Sequence, residues 1–240
     1  MDTKVSESGF FPSDGDPQWK PLFKLAGICA LIMVGMIPVQ AAVYIISPPP
    51  ETVLGYFSLF QQNWVLGLLD LDILLTIDNL LIVPIYLALF VTLKRTNISL
   101  ALLGLVFGLI GLCLYFVSRE ATFTMWLLSG QYAAAATEVQ KTALVGAGQT
   151  LLAIYNGSSF DLSYVLGGTV LVLFSAAMLK SGLFGKAAAV VGLVMGMMML
   201  VPPTVGQVGM IISMISLIPT MVWLIMIGRV FLKMGKRVKV

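Results

Sequence analysis

The chain contains no histidine, and only 10% of its 240 residues carry a charge. Without imidazole, Ser/His and Cys/His nucleophilic catalysis and most zinc sites are excluded. The two cysteines, Cys29 and Cys113, fall separately inside apolar runs. Neither a disulfide framework nor a CxxC redox centre is indicated, and both read as small buried hydrophobes. No GxxxxGK[ST] phosphate loop occurs, which argues against ATP-driven work by this chain. The GxGD pattern of intramembrane proteases is missing too. A scattered formal net charge of +3 gives no electrostatic footprint for nucleic acid.

Apolar bulk takes the place of charge: 59% of residues are hydrophobic and the mean hydropathy is +0.99. Such a composition specifies an all-α integral membrane protein. With ~20 residues needed per spanning helix, the chain has room for six or seven spans in one domain and none for a separate soluble domain. Residues 1–21, rich in Ser, Gly, Pro and Asp, read as a polar tail. Apolar stretches then predict six spans in a membrane domain covering 22–234, at about 22–46, 63–93, 98–118, 160–179, 187–201 and 208–232. Pro48, Pro49 and Pro50 end the first span, and a short loop follows. Between spans three and four, residues 119–159 are mixed in character and read as a pair of short helices forming an outer cap. Residues 235–240 form a basic tail.

The six-span topology is supported by the basic residues. Twelve of the fourteen Lys and Arg fall on the side of the two termini, leaving Arg119 and Lys141 on the other. By the positive-inside rule both termini are cytoplasmic and the expected location is the cell (plasma) membrane. Making residues 139–155 a seventh span would remove that bias, so the mixed segment is expected to cap the outer face.

Against this apolar background three acids stand out in the second stretch: Asp70, Asp72 and Asp78. A carboxylate at the centre of a bilayer helix costs about 2.5 to 3.5 kcal/mol on insertion scales, and such residues mark functional sites by default. On one continuous helix Asp72, Thr76, Asn79 and Tyr86 share a polar stripe, with Asp78 on its flank. Pro84 should free the carbonyl of Leu80 near Asn79. Together these residues make a candidate intramembrane polar site, of the kind that lines transporter paths. The alternative is a hydrogen-bonded seam between helices. Counted back from Lys94 and Arg95 at 1.5 Å per residue, Asp78 lies roughly 20 Å in. Asp72 and Asp70 lie roughly 29 and 32 Å in, near the far edge of a ~30 Å core. Asp161, at the start of the fourth span, is a second outer-face candidate whose simplest role is helix capping.

Gly104, Gly108 and Gly111, and again Gly192 and Gly196, have the small-residue spacing of close helix packing. Met195, Met197, Met198, Met199, Met210 and Met214 could suggest Cu(I), but without His or paired Cys they read as gap-filling or lipid-facing side chains. No metal or cofactor is expected.

Three stretches, LDLDILLTIDNLLIVPIYLALFVTLKR, SGQYAAAATEVQKTALVGAGQTLLAIYNGSSFDLSYVLGG and MLKSGLFGKAAAVVGLVMGMMMLVPPTVGQVGMI, carry a wider resemblance. They resemble the prokaryotic membrane proteins grouped as domain-of-unknown-function family 4386, over about Leu22 to Met234. The outer pattern QYAAA, with GQ and YNG before FD, is the most specific part. The resemblance implies six spans joined by an extracytoplasmic helical connection and supplies no catalytic residues.

Two functions remain open from the sequence. One is a small-solute or proton-coupled permease in which Asp78 binds the proton. The other is a noncatalytic scaffold or envelope-sensing component that binds a homo-oligomer copy or another membrane protein through the outer cap and Gly-lined faces. An intramembrane enzyme using Asp72 and Asp161 has no motif behind it, so no enzyme activity is expected.

Overall fold

The computed structural model describes residues 17–236, so most of the expected polar tail and residues 237–240 of the basic tail lie outside the described residues. After a short 3-10 turn at Pro17–Trp19 come ten helices: α1 Lys20–Ile46, α2 Val53–Gln62, α3 Trp64–Asp70, α4 Ile73–Leu93, α5 Ile98–Ser118, α6 Ala121–Ala134, α7 Glu138–Tyr155, α8 Ser158–Ser181, α9 Lys186–Met198 and α10 Gly206–Lys236. No strand occurs among the described residues.

Local chemistry sets several of these boundaries. The Thr52 hydroxyl accepts from the Gly55 amide, Asn63 from Leu66 and Asn97 from Leu100, each at the start of a helix. At α7, Thr137 and Gln140 form a reciprocal capping box. Gly182 and Gly185, both at positive φ, turn the chain between α8 and α9.

Six helices close into a ring in the order α1, α4, α5, α8, α9, α10 and back to α1. Their inward faces share one apolar core that includes Phe23, Ile85, Leu89, Phe174, Trp223 and Phe231. Outward faces carry exposed Leu, Ile, Val and Met, as lipid contact requires. Five helical stretches are long and apolar enough to cross a membrane. The sixth ring member, α9, has only 13 residues, about 20 Å of helix.

The helical connection between the third and fourth predicted spans belongs to a larger cap than the sequence suggests. Residues 53–62, expected as loop, form α2, and with α3, α6 and α7 they enclose a second core around Val53, Phe57, Phe60, Leu71 and Met125. The predicted 63–93 span is also divided. Helix α3 ends at Asp70, and the membrane-length helix starts at Ile73. At the break Asp72 has φ 65, the one non-glycine residue at positive φ among those described. That conformation costs an L-residue roughly 1–2 kcal/mol, although Asp tolerates it better than most.

The predicted small-residue positions are used inside the ring. Gly104 faces the Phe174 ring, Gly108 faces Tyr86 and Gly111 faces Leu166. A methyl group on Gly196 would stand 2.8 Å from the Gly168 carbonyl oxygen and 3.0 Å from the Val172 amide nitrogen. One on Gly192 would collide with Ser175 Oγ and stand 2.7 Å from Trp223 Nε1. Because two of the three nearest obstacles at Gly196 are backbone atoms that cannot swing aside, Gly196→Ala is expected to destabilise the protein by about 1–3 kcal/mol. Gly35→Ala, with nothing within 4 Å, should be neutral or stabilising by up to about 1 kcal/mol. Thermal melts of the two variants in one detergent check the pair, and equal losses would contradict the packing described.

Candidate functional site

The break between α3 and α4 sets Asp72 where the cap meets the ring. Arg119, from the turn between α5 and α6, places Nη2 at 2.9 Å from Asp72 Oδ2, with both side chains 4% exposed. Tyr155, the last residue of α7, donates its hydroxyl to the same oxygen at 2.6 Å. Tyr44, near the end of α1, donates to Oδ1. Arg119 Nη1 also donates to the Tyr155 carbonyl at 3.0 Å and to Ser118 Oγ at 3.3 Å. Three rings surround the guanidinium, with centroids at 4.0 Å for Tyr155, 4.5 Å for Phe160 and 4.7 Å for Tyr115. A buried charge persists only when paired and hydrogen-bonded, and here both partners meet that condition. Thr122 donates to the Leu71 carbonyl at 2.6 Å, which fixes the break from the α6 side.

Asp72 is therefore neutralised and saturated. Its neighbour Asp70 is neither. Asp70 is 1% exposed, and neither carboxylate oxygen has a hydrogen-bond partner among the described residues. Burial, and then the like charge of Asp72, raise its carboxyl to about 6. Tyr56 on α2 is likewise pushed up, by burial first and then by the charges of Asp70 and Asp72.

The expected polar stripe does not assemble as one unit. Thr76 donates to the Asp72 carbonyl and Asn79 to the Leu75 carbonyl, each within its own helix. Tyr86 is buried against Gly108, its ring 5.9 Å from that of Phe174. Helix α4 runs unbroken through Pro84. Asp78 lies on the same face as the fully buried Ile85, pointing with it toward the ring interior. It is 8% exposed, and Oδ1 has no hydrogen-bond partner among the described residues. Asp161 takes a hydrogen bond from the Thr204 hydroxyl, joining the start of α8 to the turn before α10 rather than meeting Asp72. No group of three or more metal-ligating Cys, Asp or Glu occurs among the described residues.

Sequence reasoning missed Arg119, Tyr44 and Tyr155 as a set. The available signal was the isolation of Arg119, one of only two cations assigned to the outer side. Removing one partner of a buried ion pair typically costs 3–5 kcal/mol. Arg119→Met and Asp72→Asn are each expected to lose about that much, with the double variant losing clearly less than the sum. Unfolding midpoints of the four proteins in one detergent measure the coupling, and simple additivity would contradict a direct pair.

No curated protein and no solved structure matches this chain. A family model does, over residues 25–232. The chain belongs to DUF4386, a domain of unknown function.

Proposed function

We propose that the protein is a six-span carrier of the plasma membrane that couples movement of a small solute to a proton bound at Asp78. The supporting observation is the Asp78 carboxylate, buried on the interior face of a membrane-length helix with Oδ1 unpartnered. In such a place a carboxyl group must hold a proton, a cation or water, and proton-coupled carriers exploit that requirement.

Six crossings are favoured because α9, though short, is followed by Thr204, which reaches Asp161 at the opposite end from the start of α9. The Met199–Val205 turn makes up the missing length. Both termini then lie on the cytoplasmic side with Lys20, Lys24, Lys94, Lys180, Lys186, Lys233 and Lys236. The scaffold reading keeps one support, the exposed apolar plate on the cap where Trp64 and Trp126 stack at 5.1 Å beside Phe123 and Leu127. A membrane protein partner or a second copy would bind there, since the Gly-lined faces are filled within the chain.

In proteoliposomes containing a trapped pH dye, a panel of small neutral and anionic solutes should include at least one that moves protons inward with it. Asp78→Asn should reduce that coupled flux tenfold or more. Equal flux in wild type and variant would sink the role of Asp78.

A further inference from the structure

Positive charge runs short at the outer end of the molecule. Two cations stand there among the described residues. Lys141 pairs with Glu138 on the exposed start of α7 at 2.9 Å, and Arg119 pairs with Asp72. Asp70 is left over, buried, with both oxygens unpartnered among the described residues. Next to it in the chain, the Leu69 carbonyl accepts the Gln40 side-chain nitrogen at 3.1 Å. That bond fixes the amide orientation and leaves Gln40 Oε1 buried and unpartnered, on a residue only 4% exposed. Asp70, and the α1 residue bonded to its chain neighbour, thus carry three acceptor oxygens with no partner among the described residues, at the C-terminal end of α3, where helix carbonyls add further negative potential.

The groups on every packed element confirm the imbalance. Tyr56 faces the corner from α2, Tyr44 and Gln40 from α1, Asp72 from the start of α4, and Arg119 precedes α6 with its charge already committed. With the tyrosines neutral, the corner holds two carboxylates and one guanidinium, which is paired with Asp72. An isolated ionised carboxylate in such burial is too costly to persist. One positive charge is missing, and a divalent ion would add two while finding too few oxygen ligands.

We propose that Asp70 and Gln40 form a binding site for one singly charged small cation, a proton or Na⁺, at the outer junction of α1 and α3. As a proton site, the Asp70 hydroxyl becomes the donor that the orphaned acceptors lack. As a Na⁺ site, the carboxylate, Gln40 Oε1 and the last carbonyls of α3 supply the oxygens. The elevated carboxyl value of about 6 agrees with either occupant, since both relieve the same uncompensated charge. The proposal does not depend on Asp78 or on transport.

The sign of the pH effect follows from linkage. The folded form holds the proton more tightly than the unfolded chain, whose Asp titrates near ~3.9. Stability from this group is therefore full below ~4 and lost as pH rises through about 6. The test uses the full-length protein in detergent, melted at about pH 8 and about pH 5, in NaCl or in N-methylglucamine chloride of equal ionic strength.

Wild type should gain several degrees on acidification, on Na⁺ addition at the higher pH, or on both. Asp70→Asn should be the more stable protein at the higher pH without Na⁺ and, made in an Asp78→Asn background that removes the other buried unpartnered acid, should respond to neither. A gain with acid alone assigns the proton, and a gain with Na⁺ assigns the metal ion. Gln40→Met retains the carboxylate and provides the test if Asp70→Asn fails to fold. It should need about tenfold more Na⁺, or about tenfold more acid, for the same gain. Responses identical to wild type in the variants that fold overturn the proposal.

Discussion

The buried pair of Asp72 and Arg119 is the interaction on which the rest of the architecture depends. Either charge alone would be unsustainable at 4% exposure, so each can be buried only because the other is. Around the pair, Tyr44 and Tyr155 fill the remaining acceptor positions on Asp72, and three aromatic rings enclose the guanidinium. The consequence is mechanical. Segments from α1, the α3–α4 break, the α5–α6 turn, the end of α7 and the start of α8 are held to one point. The left-handed backbone at Asp72 fits this picture, because the arrangement that strains it also presents its carboxylate to partners on three sides.

On the two sides of that point the packing differs. The ring turns apolar side chains both inward and outward, and its helices approach through glycines at Gly168 and Gly196 and at Gly27 and Gly228. In lipid such close backbone approach supplies the dispersion contacts that a hydrophobic driving force cannot. The cap instead has a core of its own, with α2 and α3 folding back under α6 and α7. Helix α7 buries little besides Gly148, so the Tyr155 contacts at its end count heavily in holding it. Among the described residues, Asp70 at the junction and Asp78 within the ring are the buried acids with carboxylate oxygens that no hydrogen bond reaches, and there the surrounding groups leave a need unmet.

Much of this was legible in the sequence because it is local. The membrane class, the C-terminal ends of α1, α4 and α5 and the packing glycines follow from composition and short spacings. The break at residues 71–72 was not legible, because the stretch from Trp64 to Leu93 is apolar enough to pass as one helix. Treating it as continuous put Asp72 in a stripe with Asn79 and Tyr86, a stripe that the break and the separate bonds of those residues dissolve. The partners that decide the fate of Asp72 stand 28 residues away at Tyr44 and 83 away at Tyr155. No periodicity reaches that far. Helix α2 was hidden by its proline-rich entrance, although Thr52 before an apolar run was a usable cap signal.

The central claim is that one buried ion pair fastens the cap to the ring, and hydrogen–deuterium exchange measured segment by segment tests it most directly. In Arg119→Met, amides of α2, α3 and α7 should lose protection while the paired helices α1 and α10 keep theirs. Cap protection equal to that of the wild type would contradict the account.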